Sequence, residues 1–190
     1  VTQPIGPGAF IAVIGASGVG KDTLLDLARV SCSDTVHFVR RVITRPPGPG
    51  EEFDSLSAAD FEEADERGDF AGSWRAHGLA YGLPVSADDM IRAGRVVIAN
   101  VSRGVISELE ERYECVVVVR IIVSDGVRAQ RLRARSRESE DDIAQRLARA
   151  DPAPHRSADY EIPNDGSIQD SSRELLDIIA STITRRSETP

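Results

Sequence analysis

Cysteine is nearly missing from this sequence: Cys32 and Cys115 are the two thiols among 190 residues. They match no metal-ligand spacing and sit in or beside apolar stretches, so buried thiols are expected and a disulfide is not. A reducing, cytoplasmic setting follows as an expectation. Long apolar runs are also missing. The richest, VVVVRIIV at residues 116–123, is broken by Arg120 and falls far short of a membrane span, and the opening VTQPIGPG has no signal-peptide core. No membrane partner is expected. An excess of positive charge is the third absence. Lys and Arg number 23 against 31 Asp and Glu, a formal net charge of −8, which argues against a protein that wraps nucleic acid and for a small ligand. There are no repeats and no long linker, and the length suits one α/β domain with a sizeable core. The first eight residues and the tail RRSETP are expected to fray.

What is present begins with GASGVGKDT, residues 15–23. In a phosphate-binding loop, small residues let backbone N–H groups curl around phosphate oxygens, a lysine reaches the outer phosphates and a hydroxyl meets Mg²⁺. Gly15, Ala16, Ser17, Gly18, Val19 and Gly20 form the loop, and Lys21 stands where the lysine is needed. The apolar run AFIAVI before it reads as a buried strand, and TLLDLARV after it as a helix whose N-terminus faces the anion. A plain glycine-rich turn would have no need of that lysine. The hydroxyl is displaced by one position to Thr23, a G-K-x-T ending similar to that of adenylate-kinase-like enzymes. Asp22 takes the vacated place and admits two readings: a carboxylate that holds Mg²⁺ through water, or a helix-start carboxylate favoured by the helix dipole.

Further strands are expected at Val36–Ile43, Arg95–Val101, Glu114–Val123 and Ala158–Pro163, in the order of a parallel α/β sheet. Ser57 with Asp60, Ser86 with Asp89 and Ser139 with Asp142 have the form of helix caps, and Gly68 and Gly94 suit helix stops. The last helix, about Ser172–Arg185, carries Leu175, Leu176, Ile178, Ile179 and Ile183 on one side for packing.

Two segments exceed a minimal sheet. The first, Arg40–Ser86, holds RRVITRPPGPGEEF and FAGSWRAHGLAYGLP, with its charged and aromatic residues expected in loops. The second, RLRARSRESEDDIAQRLARA at residues 131–150, carries arginines at 131, 133, 135, 137, 146 and 149. Singly, each could be a solvated helix face paired with the neighbouring acids. As a group beside a phosphate loop they suit a lid that closes guanidinium groups over a transferring phosphoryl group and excludes water.

From about Ala9 to Arg185 the chain resembles the guanylate-kinase-like branch of the nucleoside monophosphate kinases. The matching features are the P-loop, TRPP at residues 44–47, Trp74 with Tyr81 and Gly82, lid arginines Arg135 and Arg146, and the pair Asn164–Asp165. Within that branch it resembles more closely the ribose 1,5-bisphosphate phosphokinases of phosphonate degradation, sharing GKDTLL, RRxITRP, SWxAxGLxYG, an N-x-S-R after the third strand, RxRE…RLARA and NDGS. The resemblance implies a P-loop NTPase fold, a parallel sheet flanked by helices with an acceptor-binding segment at about 40–90 and a lid at about 133–150, in a single domain over 9–187.

Departures from guanylate kinase fall where a base would be read. Ser73 stands for the glutamate before the tryptophan, Leu83 and Pro84 follow the Y-G, and Ile98 and Asn100 replace a D-x-D pair. Phosphate-binding capacity is kept, through Arg40, Arg41, Arg45 and Arg103. The resemblance therefore implies ATP and Mg²⁺ as cofactors and a small phosphorylated sugar as acceptor, with ribose 1,5-bisphosphate converted to 5-phosphoribosyl 1-diphosphate. Lys21, Arg135 and Arg146 would be catalytic, Thr23 and Asp22 would serve the metal, Asn164 would serve the nucleotide, and His77 and Tyr81 would join the arginines at the acceptor. Trp74 and Tyr81 could equally be wall residues. A guanylate kinase with an altered pocket and a non-catalytic guanylate-kinase-like binding module are the competing expectations. Such modules have typically lost the P-loop lysine.

Overall fold

AFIAVI does not alternate between apolar and polar residues because the strand it forms is covered on both faces. In the computed structural model, which describes residues 3–48, 53–76, 78–134 and 157–188, β1 (Ala9–Ile14) is buried throughout. It is the central strand of a five-stranded sheet with β2 (Val36–Phe38), β7 (Val96–Asn100), β8 (Val116–Ile122) and β9 (Tyr160–Pro163), in the order β2-β7-β1-β8-β9 and all parallel. Ala9, Ile11 and Val13 pack with Leu24 and Leu25 of helix α1 (Lys21–Cys32) and with Leu175, Ile178 and Ile179 of α6 (Ile168–Ser187). Their alternates Phe10, Ala12 and Ile14 pack on the other face with Ala87 and Ile91 of α3 (Ser86–Arg92) and Ile106 and Leu109 of α4 (Ile106–Arg112). Helices on both faces are what an all-parallel sheet requires. In such a sheet, ligands bind beyond the carboxyl ends of the strands, where neighbouring connections leave in opposite directions. The loop after β1 lies there.

A second, four-stranded sheet forms from β3 (Val42–Ile43), β4 (Asp54–Ser55), β5 (Phe70–Ala76) and β6 (Leu79–Pro84), in the order β4-β3-β6-β5. It is mixed: β3 runs parallel to β4 and antiparallel to β6, and β5 and β6 make an antiparallel pair. Helix α2 (Ala58–Glu66) caps a small core of its own, with Phe61 stacked on Phe70 at 4.7 Å beside Val42 and Ala80.

Several expectations are corrected here. The single strand expected over Val36–Ile43 is two, β2 and β3, in different sheets; the chain leaves the parallel sheet at residues 39–41. The segment Arg40–Ser86 is not mainly loop, for Trp74 and Tyr81 lie on paired strands. Ser57 caps α2 by accepting from the Asp60 N–H, but Ser86 is the first residue of α3, preceded by Val85 with no side-chain cap. The last helix is longer than expected at both ends. The early residues do not simply fray: Ile5 bridges Tyr113, and Arg186 donates to the Pro7 carbonyl at 2.6 Å. Both cysteines are free thiols, as expected, but of intermediate exposure and not fully buried, packed at the edge of the main core, and partial burial raises the pKa of the Cys32 thiol. Among the described residues no helix is long and apolar enough to cross a membrane.

Candidate functional site

The turn from β1 into α1 takes backbone conformations that a side chain would resist. Gly15 and Gly20 have φ of 145° and 96°. A Cβ on Gly15 would sit 2.6 Å from the Ile121 carbonyl oxygen, and one on Gly20 would sit 2.6 Å from Asn164 Nδ2. Glycine is needed at both places. No side chain caps α1 at Gly20, so the first-turn N–H groups keep their capacity for an anion at the loop mouth. Lys21 opens the helix, and its Nζ donates to the carbonyls of Gly15 at 2.7 Å and Ala16 at 3.0 Å. These contacts hold the ammonium across the loop that it would share with phosphate.

Two arginines grip the loop from behind. Helix α5 (Asp125–Ala134) sends Arg128 Nε to the Ser17 carbonyl at 3.0 Å and Arg131 to the carbonyls of Val19 at 3.2 Å and Asn164 at 2.7 Å. Leu132 of the same helix is buried against Gly18. Asn164, fully buried, donates its amide to Val19 O at 2.8 Å. It meets the loop backbone, and its Oδ1 has no hydrogen-bond partner among the described residues. Sequence reasoning grouped Arg131 with the lid and passed over Arg128. The available signal was their i, i+3 spacing, which places both on one helix face.

Asp22, in the first turn of α1, accepts from Asn100 Nδ2 at 2.7 Å and lies 3.4 Å from Arg41. Thr23 is exposed beside it. Among the described residues no cluster of three or more His, Cys, Asp or Glu could hold a metal. The exposed Thr23 hydroxyl suits Mg²⁺, an ion that usually arrives on nucleotide phosphates, keeps several waters and takes one or two protein oxygens, whereas the Asp22 Oδ1 is already engaged by Asn100 and Arg41.

The expected acceptor arginines have different partners. Arg41 faces Asp22. Arg40 lies 3.9 Å from Asp54 and lines an open cleft of about 540 Å³ with Arg29 and His37; burial, and then Arg95, lower the His37 pKa. Arg45 lies over the Phe53 ring at 4.6 Å and donates to the Pro46 carbonyl. Arg103 opens a short 3₁₀ turn after β7, and burial, with Arg120 nearby, lowers its pKa to about 10. Tyr81 stacks on Trp74 with centroids 5.5 Å apart and planes at 2°. Ser73 donates to Asp65 at 3.1 Å, and Leu83 is fully buried in the core. His77, Arg135, Arg146 and the expected Ser139–Asp142 cap lie outside the described residues.

No family model matches the chain. Curated relatives do. The ribose 1,5-bisphosphate phosphokinase PhnN of Pseudofrankia inefficax is 58% identical over 179 residues, 94% of each chain. The protein of the same name from Bradyrhizobium diazoefficiens is 47% identical over 177 residues, 92% of this chain and 89% of that one. Among solved structures, guanylate kinase from Anaplasma phagocytophilum superposes with a TM-score of 0.67 at 18% identity, over 94% of this chain and 88% of that one. That likeness establishes the P-loop kinase fold that the sheet order and the loop already indicate. At such identity and coverage, with the phosphate loop, its lysine and the second sheet all in place, the chain belongs to the ribose 1,5-bisphosphate phosphokinase family.

Proposed function

We propose that this protein is a kinase that transfers the γ-phosphoryl group of ATP to the 1-phosphate of ribose 1,5-bisphosphate, giving 5-phosphoribosyl 1-diphosphate and ADP. The observation that carries the reading is the intact phosphate loop: glycines at the positions where no side chain fits, and Lys21 laid across it. A binding module would have no use for that lysine. The relatives' shared name supports the choice of acceptor. So does the treatment of the positions where a base would be read, since Ser73 is engaged by Asp65 and Leu83 is sunk in the core.

One oxygen of the acceptor 1-phosphate forms a bond to the γ-phosphorus as the bond to the ADP oxygen breaks. The nucleophile is already anionic near neutral pH, so no general base is required, and catalysis rests on positioning and charge neutralisation. Lys21 binds the phosphates whose charge grows toward the leaving group. The loop N–H groups and the N-terminus of α1 hold the donor, while Arg128, Arg131 and Asn164 keep the loop in shape. Thr23 is the residue that would hold Mg²⁺, which would neutralise phosphate charge when bound, while Asp22 is engaged by Asn100 and Arg41. Arg40, Arg41, Arg45 and Arg103, with His77 and Tyr81, take the acceptor. Arg135 and Arg146 close the lid, and one kinase domain spans 9–187. The reading is tested by ³¹P NMR of the protein with ATP, Mg²⁺ and ribose 1,5-bisphosphate. The expected result is a new diphosphate resonance pair on the sugar growing in step with ADP; ADP released with inorganic phosphate alone would overturn it.

A further inference from the structure

Asp22 stands in the first turn after the phosphate loop, yet its side-chain partners come from β7 and from the crossing into the second sheet. Asn100, 8% exposed at the carboxyl end of β7, pairs in register with Val13 at the root of the phosphate loop and donates to Asp22 Oδ1 at 2.7 Å. The same oxygen faces Arg41 NH2 at 3.4 Å. Arg41 belongs to the three-residue crossing, 39–41, that carries the chain from the parallel sheet into the second sheet. Val39 N–H bonds to Ile98 O on one side of that crossing, and Arg41 O accepts from Asp54 N–H on the other. The Arg41 side chain is only 18% exposed, against 63% for Asp22. A hydroxyl at position 22 is shorter by one atom and carries no charge to orient a guanidinium. A carboxylate at position 100 would repel Asp22, whereas an amide there fixes it. The two substitutions complement one another.

We propose that Asp22 is a positioning residue for the acceptor: clamped by Asn100, it holds the Arg41 guanidinium at the seam between the two sheets, so that its remaining N–H donors meet the acceptor phosphate. This rests on the kinase reading above and adds to it a role for the residue that interrupts the phosphate-loop pattern. Asp22 thereby ties the helix that binds ATP to the crossing that leads to the acceptor.

The test is a double-mutant cycle of Asp22→Asn and Arg41→Ala, with steady-state kinetics for ATP, ribose 1,5-bisphosphate and Mg²⁺, and with thermal unfolding to show that each variant is folded. Asp22→Asn is expected to raise the acceptor KM about threefold to fivefold, as for one partly exposed ion pair, while the ATP KM and the Mg²⁺ requirement move less than about twofold. Arg41→Ala is expected to raise the acceptor KM by more, and the double variant to be no worse than Arg41→Ala alone, because the two act as one unit. A shifted Mg²⁺ or ATP dependence with the acceptor KM unchanged would overturn the proposal, as would strictly additive effects. If the wild-type protein fails to turn over ribose 1,5-bisphosphate at all, the kinase reading itself fails and this inference with it; the wild-type arm separates the two cases.

Discussion

The two sheets hold their residues in place by different means. Around the phosphate loop, the restraints are buried or partly buried: β1 is covered on both faces, glycines fit where no Cβ can, and the Arg128, Arg131 and Asn164 side chains bond to loop carbonyls. The smaller sheet has two strands of two residues each, a core of three buried side chains, and ion pairs such as Arg75–Glu62 and Arg40–Asp54 on its surface. A rigid donor half thus meets an acceptor half fixed by fewer and more exposed contacts. Chemistry that depends on charge placement belongs on the first, and choice of acceptor can vary on the second.

Substitutions in each half should separate these roles. The largest effect is expected at Lys21. Lys21→Ala should lower kcat by about two orders of magnitude or more, on the order of 3 kcal/mol in the barrier, without unfolding the chain. Near-normal turnover would remove the loop from the mechanism. Gly20→Ala forces a Cβ into a left-handed conformation and against Asn164. A loss of about 2 kcal/mol, read as a fall in Tm of roughly 4–8 °C together with weaker ATP binding, is expected. An unchanged Tm would show that the loop is not held as described. Arg128→Ala removes a charged hydrogen bond to the loop and should raise the ATP KM about tenfold with little change for the acceptor. Arg45→Ala is the counterpart in the other half and the smallest of the four. It should raise the acceptor KM about fivefold and move the ATP KM less than twofold; equal effects on both substrates would mean that the two halves do not divide the work.

The same contrast decided what could be read from the sequence. The donor half was legible because its signal is contiguous: an apolar run, six loop residues and a helix that opens on Lys21, all adjacent in the chain. The acceptor half was not. Strands as short as Val42–Ile43 and Asp54–Ser55 have no periodicity, and they exist because distant segments pair with them. Trp74 and Tyr81 looked like loop aromatics because the hairpin that stacks them turns through Gly78 without a longer strand pattern. Asp22 could be seen as an anomaly but not explained, since its partners Arg41 and Asn100 lie 19 and 78 residues away. Arg128 carries only its i, i+3 spacing from Arg131 as a signal, since the Ser17 carbonyl that it binds lies 111 residues away.

The central claim is that this donor half serves an acceptor half that reads phosphate and no base. A site built to hydrogen-bond a base discriminates strongly because its own buried polar groups need that partner, and here Ser73 is already tied to Asp65 while Leu83 is buried. The most direct test is the ratio of kcat/KM for ribose 1,5-bisphosphate to that for GMP, measured with ATP and Mg²⁺ on the same preparation by a coupled assay for each product. The account predicts a ratio of about 100 or more in favour of the bisphosphate, with at most a trace of GDP. A ratio near or below unity, with GDP formed efficiently, would contradict it.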